Sequence, residues 1–279
     1  MKRVPRPSQC AKETFQTTIS RVREKDLKVR LTSIEDRIYA AAQDYAALAP
    51  VPNLHTIATM AMVGGVSKDE LIKNYDIRFA KKSSPGHDIY DGIKSLPDGA
   101  ICPYCNHRDI STLDHFLPKA HFPVFAVAPD NLIGACSDCN KKKGDKRSTS
   151  LAQTFLHPYF EDISNIQWLY AEVIQSPMVS VRFYVLPPHE WNADLSQRTM
   201  YQFETLCLAS LYAKQAAREM NDIREGLKIH FNNNGPEKVF RELLHQWNSR
   251  RKNQINSWQT ALYEALKNSE WYWQGGFDF

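Results

Sequence analysis

Residues 102–144 read CPYCNHRDISTLDHFLPKAHFPVFAVAPDNLIGACSDCNKKKG, a stretch that opens and closes on a C-x-x-C pair, with 30 residues between the two pairs. Four thiolates are the ligand set of a tetrahedral structural Zn²⁺, and one ion held by both pairs ties the ends of the segment together. A redox C-x-x-C needs no second pair at this distance. We therefore predict a structural zinc site at Cys102, Cys105, Cys136 and Cys139.

The bulk composition is that of a globular protein. The chain has 279 residues, 43% of them hydrophobic and 24% charged, and a formal net charge of +4. These values exclude global disorder, and so small a charge permits a polyanionic partner without requiring one. No apolar run is long enough to cross a bilayer, and the basic start at residues 1–7 has no hydrophobic segment behind it. We expect a cytoplasmic protein with no membrane partner and with its cysteines reduced.

Residues 1–97 are predicted to form a helical N-terminal region. Apolar residues recur at three- and four-residue steps from Leu27 to Leu48, which predicts one amphipathic helix ended by Pro50. Ser67 and Glu70 have the spacing of a capping box, so a short helix is expected to begin there. A further short helix is expected over residues 88–96.

Residues 98–160 are predicted to form the cysteine-bearing core, and residues 161–279 a β-hairpin followed by a helical C-terminal region. The β-rich runs 166–174 and 179–186 predict the hairpin. One helix is expected over 194–231, with Gly226 as its candidate break. Another is expected after Pro236, with a candidate break near residue 250. The expected class is α+β: a mostly helical protein that encloses a small core.

Within the cysteine loop, Asp114 and His115 stand side by side in an apolar run, where either group is costly to bury without a partner. This loop resembles the HNH endonuclease family, the ββα-metal nucleases. The matching elements, in the family's order, are Cys102-x-x-Cys105, LDHFLPK at 113–119, DNL at 130–132 and ACSDCNKKKG at 135–144. The resemblance implies a ββα-metal core that the four-cysteine zinc site closes.

The chemistry expected of the core is phosphodiester hydrolysis. His115, with an ordinary pKa near 6.5, suits a general base that takes a proton from water. Neighbouring strand residues point to opposite faces, so strand geometry alone does not bring Asp114 to the same site. The resemblance implies that a twisted hairpin does so and that Asp114 is a ligand of the catalytic metal.

Two asparagines complete the predicted site. The resemblance implies that Asn140, on the helix at the last cysteine, is the second metal ligand. It also implies that Asn131 orients the loop through backbone hydrogen bonds. Carboxylate and amide oxygens are hard ligands, which favour Mg²⁺ or Mn²⁺ over a soft metal.

A basic run follows Asn140 and adds five positive charges between Lys141 and Arg147. Such a run is unremarkable on a solvated helix face, but beside a phosphate site it favours contact with a nucleic-acid backbone. The residues that we predict to bind nucleic acid are Lys119, Lys141, Lys142, Lys143, Lys146 and Arg147.

The function predicted is a metal-dependent endonuclease that cuts DNA and leaves 5′-phosphate and 3′-hydroxyl ends, as the resemblance implies. The alternative is a non-catalytic, zinc-stapled module that binds nucleic acid or a partner protein. The order of segments around the core also resembles some bacterial phage-defence HNH proteins. That likeness implies a nuclease effector with a partner such as a defence-system ATPase. The form of the substrate and the oligomeric state are left open.

Overall fold

The computed structural model describes residues 2–176 and 179–278 and divides into two compact units, Met1–Asp162 and Ile163–Phe279. Both C-x-x-C pairs and every predicted site residue lie in the first unit. The division expected within this unit, between residues 97 and 98, stays a prediction.

The first unit consists of helices around two small hairpins. Its helices are α1 (Ala11–Ile19), α2 (Lys25–Ser33), α3 (Glu35–Leu48), α4 (Lys68–Arg78), α5 (His87–Lys94) and α6 (Ser137–Lys143). Its strands are β1 (Met62–Val63), β2 (Val66–Ser67), β3 (Thr112–His115) and β4 (Leu132–Ala135). β1 pairs with β2, and β3 pairs with β4, both antiparallel.

The single helix predicted from Leu27 to Leu48 is wrong, because the chain turns at Ile34 between α2 and α3. The backbone of Ile34 leaves helical geometry, with φ −104° and ψ 1°. Its side chain is fully buried, as is that of Leu31. The turn therefore lets apolar residues of both helices reach one core. The end before Pro50 is confirmed, since α3 stops at Leu48.

The capping box predicted at the start of α4 is confirmed. Ser67 Oγ accepts a hydrogen bond from the Glu70 amide, and the Glu70 carboxylate accepts one from the Ser67 amide at 2.8 Å. Both satisfy amides that the first turn of a helix leaves without partners. Arg30 of α2 also donates to both oxygens of Glu70, at 2.7 and 2.9 Å. The start of α4 is thus fixed to α2.

The ββα unit is β3, β4 and α6. Asp114 pairs with Ile133 and His115 with Leu132 in the antiparallel register, and α6 follows β4 directly and packs against β3. Gly134 lies in β4, where a Cβ would stand 3.0 Å from the carbonyl oxygen of Lys94. The absence of a side chain there lets α5 lie close to the hairpin. The α+β class, with a small ββα core in a mostly helical protein, is confirmed.

In its described residues, the second unit contains a hairpin, four α-helices and a short π-helix over Tyr272–Gly276. Its elements are β5 (Leu169–Ile174), β6 (Ser180–Val185), α7 (Ala193–Thr205), α8 (Leu208–Asn234), α9 (Pro236–Asn253) and α10 (Trp258–Asn268). β5 and β6 form the predicted antiparallel hairpin and pack on α10 and α8, respectively. Pro177 and Met178, in its turn, lie outside the described residues.

The helix predicted over 194–231 divides, but not at Gly226, which lies inside α8. The break falls between α7 and α8, where Cys207 has a left-handed backbone with φ +52°. A continuous helix cannot contain that conformation. The break predicted near residue 250 is found after Asn253, and the Ser257 side chain caps α10. Among the described residues, no helix combines the length and the apolar character that crossing a membrane requires.

Candidate active site and metal centre

Four buried cysteines converge in the first unit. The Sγ atoms of Cys102, Cys105, Cys136 and Cys139 all lie within 4.8 Å of one another. A tetrahedral Zn²⁺ with sulfur ligands at about 2.3 Å needs sulfurs about 3.8 Å apart. The Cys105–Cys136 separation of 4.0 Å is close to this value. The donor set and its spacing therefore fit a structural metal.

The backbone around the cysteines forms two knuckles that aim the thiols inward. In the first, Asn106 adopts φ +49° and its amide donates to the Cys102 carbonyl at 2.7 Å. In the second, Cys136 precedes α6, and its sulfur accepts from the Cys139 amide at 3.4 Å. Hydrogen bonds among the four thiols, first of all with Cys102, lower the pKa of Cys105 and Cys136. Hydrogen bonds within the same cluster raise the pKa of Cys102 and Cys139.

Asp114, on β3 of the hairpin, is buried, with 2% of its surface exposed. Its Oδ2 accepts a hydrogen bond from the Tyr104 hydroxyl at 2.8 Å. The Lys143 ammonium lies 3.1 Å from Oδ2 and 3.2 Å from Oδ1, and it donates to the His115 carbonyl at 2.7 Å. A buried carboxylate requires such partners. Asp114 is therefore held in one orientation by Tyr104 of the first knuckle and Lys143 of α6.

His115 is half-buried and its ring orientation is fixed on two sides. Nε2 lies 2.9 Å from the carbonyl oxygen of Ala126. Because a carbonyl only accepts, Nε2 carries the proton, and Nδ1 of the neutral ring carries the lone pair. The Tyr75 ring meets the imidazole edge-on with centroids 4.4 Å apart. Burial is the main cause that lowers the pKa of His115 to about 3, so the ring is neutral at physiological pH.

Asn131 ties together the loop that follows His115. Its side chain is fully buried; Oδ1 accepts from the Leu117 amide at 2.7 Å. Its Nδ2 donates to the carbonyls of Leu117 and Phe125, at 3.0 and 3.2 Å. The Asn131 carbonyl also accepts from the Phe116 amide at 2.8 Å. One side chain thus sets the distance between the end of β3 and the turn at Phe125.

Asn140 lies in α6, immediately after the last cysteine, and its side chain is half-buried. The second knuckle fixes its position, because Cys139 directly precedes it in α6 and the Asn140 amide donates to the carbonyl of Cys136 at 3.1 Å. An amide oxygen from Asn140 and a carboxylate oxygen from Asp114 are hard donors, so their chemistry fits Mg²⁺ or Mn²⁺.

The predicted nucleic-acid contacts fall into two groups. Lys143 is buried against Asp114, an interior position that the basic run did not indicate. Lys119 is partly exposed; its ammonium lies 2.5 Å from Asp76 and 4.4 Å from the centre of the Tyr75 ring. The exposed group comprises Lys141, Lys142, Lys146 and Arg147. An exposed cationic face therefore adjoins Asn140, and Lys143 is not part of that face.

Three residues that the sequence did not single out support the site. Tyr104, inside the first C-x-x-C pair, bonds Asp114, and Tyr75 of α4 packs on His115. Arg6, far earlier in the chain, forms two hydrogen bonds of 2.7 and 2.6 Å to Asp130, next to Asn131. An aromatic residue between two predicted metal ligands was a usable signal for Tyr104. Nothing in the local pattern marked the other two.

Comparison with known proteins agrees with this geometry. Residues 102–146 match the family described as HNH endonuclease. The chain is similar to Protein ea31 of Escherichia phage lambda, with 26% identity over 296 residues. That alignment covers 99% of this chain and 100% of Protein ea31, so the likeness extends through both units. No solved structure matches the chain.

An HNH endonuclease domain implies a nucleic-acid substrate and a nuclease activity that depends on a metal. The match begins at Cys102, the first cysteine of the cluster, and ends just beyond α6, so it covers β3, β4 and α6. Residues 102–146 are an HNH endonuclease domain, which carries a four-cysteine cluster suited to a structural metal.

Proposed function

We propose that the protein is a metal-dependent HNH endonuclease that hydrolyses phosphodiester bonds in DNA. The observation that carries the proposal is the ββα unit, in which β3 carries Asp114 and His115 and α6 carries Asn140, closed by the cysteine cluster. The HNH match over the same residues supports a nuclease. The choice of DNA, and of Zn²⁺ in the cluster, belongs to the proposal.

His115 is the proposed general base. The hydrogen bond to Ala126 keeps the proton on Nε2, so Nδ1 is the atom that takes a proton from the attacking water. Its lowered pKa keeps the ring neutral, and an anionic phosphate nearby would raise the pKa toward the value that suits a base. Asn131 holds the loop on which the Ala126 carbonyl lies, and so fixes the ring's direction.

Asp114 and Asn140 are the proposed ligands of a catalytic Mg²⁺ or Mn²⁺. A bound divalent cation neutralises the scissile phosphate and stabilises the leaving alkoxide. Asp114 supplies the negative charge, and Asn140 a neutral oxygen from the rigid start of α6. The flanking phosphates are then contacted by the exposed cations Lys141, Lys142, Lys146 and Arg147. Lys119 is a further contact if its ammonium leaves Asp76 and binds a phosphate instead.

Plasmid cleavage tests the proposal. Zinc-loaded protein with Mg²⁺ is expected to nick or cut supercoiled plasmid, and His115→Ala is expected to reduce the rate about 100- to 10,000-fold, the range for losing a general base. His121→Ala, which changes a partly exposed histidine on the same loop, is the matched control and should cleave as wild type does.

The substrate panel includes duplex DNA, single-stranded DNA and RNA. Cleavage of RNA alone would support the nuclease activity but contradict DNA as its substrate. Wild-type protein that binds these nucleic acids without cutting any of them, or His115→Ala that cuts equally well, would establish the non-catalytic binding module instead.

The wider role that we propose is that of a nuclease effector in anti-phage defence, acting with a partner ATPase. Its support is the order of segments around the domain. The relative from phage lambda is itself encoded by a phage, so it lends this role no support. Unchanged phage plating on bacteria that express the protein with its neighbouring genes would contradict it.

A further inference from the structure

The zinc knuckle and the predicted catalytic ligand are joined by one side chain. Tyr104 stands between Cys102 and Cys105, and its ring is fully buried. Its hydroxyl donates to Asp114 Oδ2 at 2.8 Å. Two cysteines of the metal cluster thus flank the residue that holds Asp114, and the ring cannot shift far without moving them.

The partner of the Tyr104 hydroxyl is more specific than a buried phenol requires. A buried tyrosine hydroxyl needs a partner, and a backbone carbonyl is sufficient. Tyr159 in the same unit shows that solution, since its buried hydroxyl donates to the Leu132 carbonyl at 2.5 Å. Tyr104 instead contacts the carboxylate on which the proposed metal site depends.

The bond also leaves part of the Asp114 carboxylate open. An ionised carboxylate accepts at about four lone-pair positions. Tyr104 donates to Oδ2, and the Lys143 ammonium donates to Oδ1 at 3.2 Å and lies 3.1 Å from Oδ2. These three contacts use at most three of the four positions, so the carboxylate can still accept a further ligand.

We propose that Tyr104 is a positioning residue that fixes the rotamer of Asp114 for the catalytic cation, so that the structural metal site orders the catalytic one. This inference rests on the proposed function, because it takes Asp114 as a ligand. The hydroxyl acts through Asp114 and touches neither substrate nor cation.

Replacing Tyr104 by Phe isolates the hydroxyl. Tyr104→Phe keeps the ring between the cysteines, so the zinc content should stay at the wild-type value. Without the hydroxyl, Asp114 can rotate, and partners that orient a metal ligand are typically worth about 10- to 100-fold in metal affinity. Tyr159→Phe is the matched control: it also removes one buried hydroxyl from this unit, but one that does not contact Asp114.

The experiment measures Mn²⁺ binding to the zinc-loaded full chain by the electron paramagnetic resonance signal of free Mn²⁺. It also measures the Mn²⁺ concentration that gives half-maximal plasmid cleavage. We expect Tyr104→Phe to weaken binding at least about tenfold and to raise the half-maximal concentration in parallel. We expect both quantities to stay at wild-type values in Tyr159→Phe, even if its thermal midpoint falls as much as that of Tyr104→Phe.

Two results overturn the inference and are distinguishable. Wild-type Mn²⁺ affinity in Tyr104→Phe, with zinc retained, overturns the positioning role alone and leaves the nuclease intact. A wild-type protein that neither binds Mn²⁺ beyond its zinc site nor cleaves nucleic acid overturns the proposed function and this inference together.

Discussion

Asp114 and Lys143 form an ion pair almost fully removed from water, with 3% and 5% of their side chains exposed. Taking two charges out of water costs several kcal/mol per ion, and their attraction often fails to repay it. Such a pair is therefore weak evidence for stability on its own. Its position beside His115, on β3, agrees with the metal-ligand role that we propose for Asp114.

Lys143→Met tests the counter-charge directly. It keeps the apolar stem but leaves Asp114 without its ammonium, so we expect the free energy of unfolding to fall by about 3 kcal/mol. Mg²⁺ should stabilise this variant more than wild type, because a divalent cation can replace the missing charge. Urea unfolding with and without Mg²⁺ measures both effects. Lys141→Met, on the exposed face of α6, is the control. Equal losses of unfolding free energy in the two variants would contradict the role of Lys143 as the counter-charge of Asp114.

At the scale of elements, α4 links helix packing to the site. Its first turn is held by Glu70, and its Tyr75 packs on His115. The hydrogen bond from Arg30 is the main cause that lowers the pKa of Glu70 to about 2, and the bond from the Ser67 amide adds to it. The charge on Glu70 therefore stabilises the folded state.

This pKa shift predicts a pH dependence of stability. The folded pKa lies below the ordinary value of 4.5, so the contribution is complete above about pH 4.5 and is lost as the pH falls toward 2. The pair is partly exposed, so Glu70→Gln should cost only about 1 kcal/mol at pH 7 and close to nothing near pH 2. Urea unfolding across this range measures it, with the exposed Glu24→Gln as control. A difference that does not change with pH would contradict the assignment.

The elements that the sequence predicts best are those with a local physical cause. The capping box at Ser67 and the β5–β6 hairpin follow from side-chain chemistry or alternation within a few residues, whereas the ββα core is implied by the resemblance to the HNH family. The breaks at Ile34 and Cys207 do not, because both residue types are tolerated in helices and packing elsewhere imposes the turn. The bond from Tyr104 to Asp114 spans ten residues and belongs to no periodic pattern, so only the folded chain shows it.

At the scale of the whole molecule, the two units differ in what stabilises them. In the first, a metal bound by the cysteine cluster would join the ends of the HNH domain. The second has its own buried residues along α8, α9 and α10, among them Leu211, Leu243 and Leu262. The cysteine it contains, Cys207, is exposed. We therefore expect metal binding to be coupled to the folding of the first unit and not of the second.

Zinc removal should thus separate the units in an unfolding experiment. A structural zinc supplies folding free energy directly, so a strong chelator under reducing conditions should unfold residues 1–162 at a lower temperature. Residues 163–279 should keep their helical transition. Circular dichroism should then show two transitions, and limited proteolysis with mass spectrometry should show cleavage within the first unit and a surviving C-terminal fragment.

Added Zn²⁺ should restore the first transition, and Cys139→Ser should imitate the chelator where Cys207→Ser does not. Because Cys207 is exposed and lies outside the cluster, this control distinguishes the loss of a cluster ligand from the loss of any thiol. One transition that shifts as a whole, with both units digested at the same rate, would mean that the second unit depends on the metal too. In that case the zinc would stabilise the chain beyond the HNH domain, and the likeness to Protein ea31 through both units would reflect one cooperative fold.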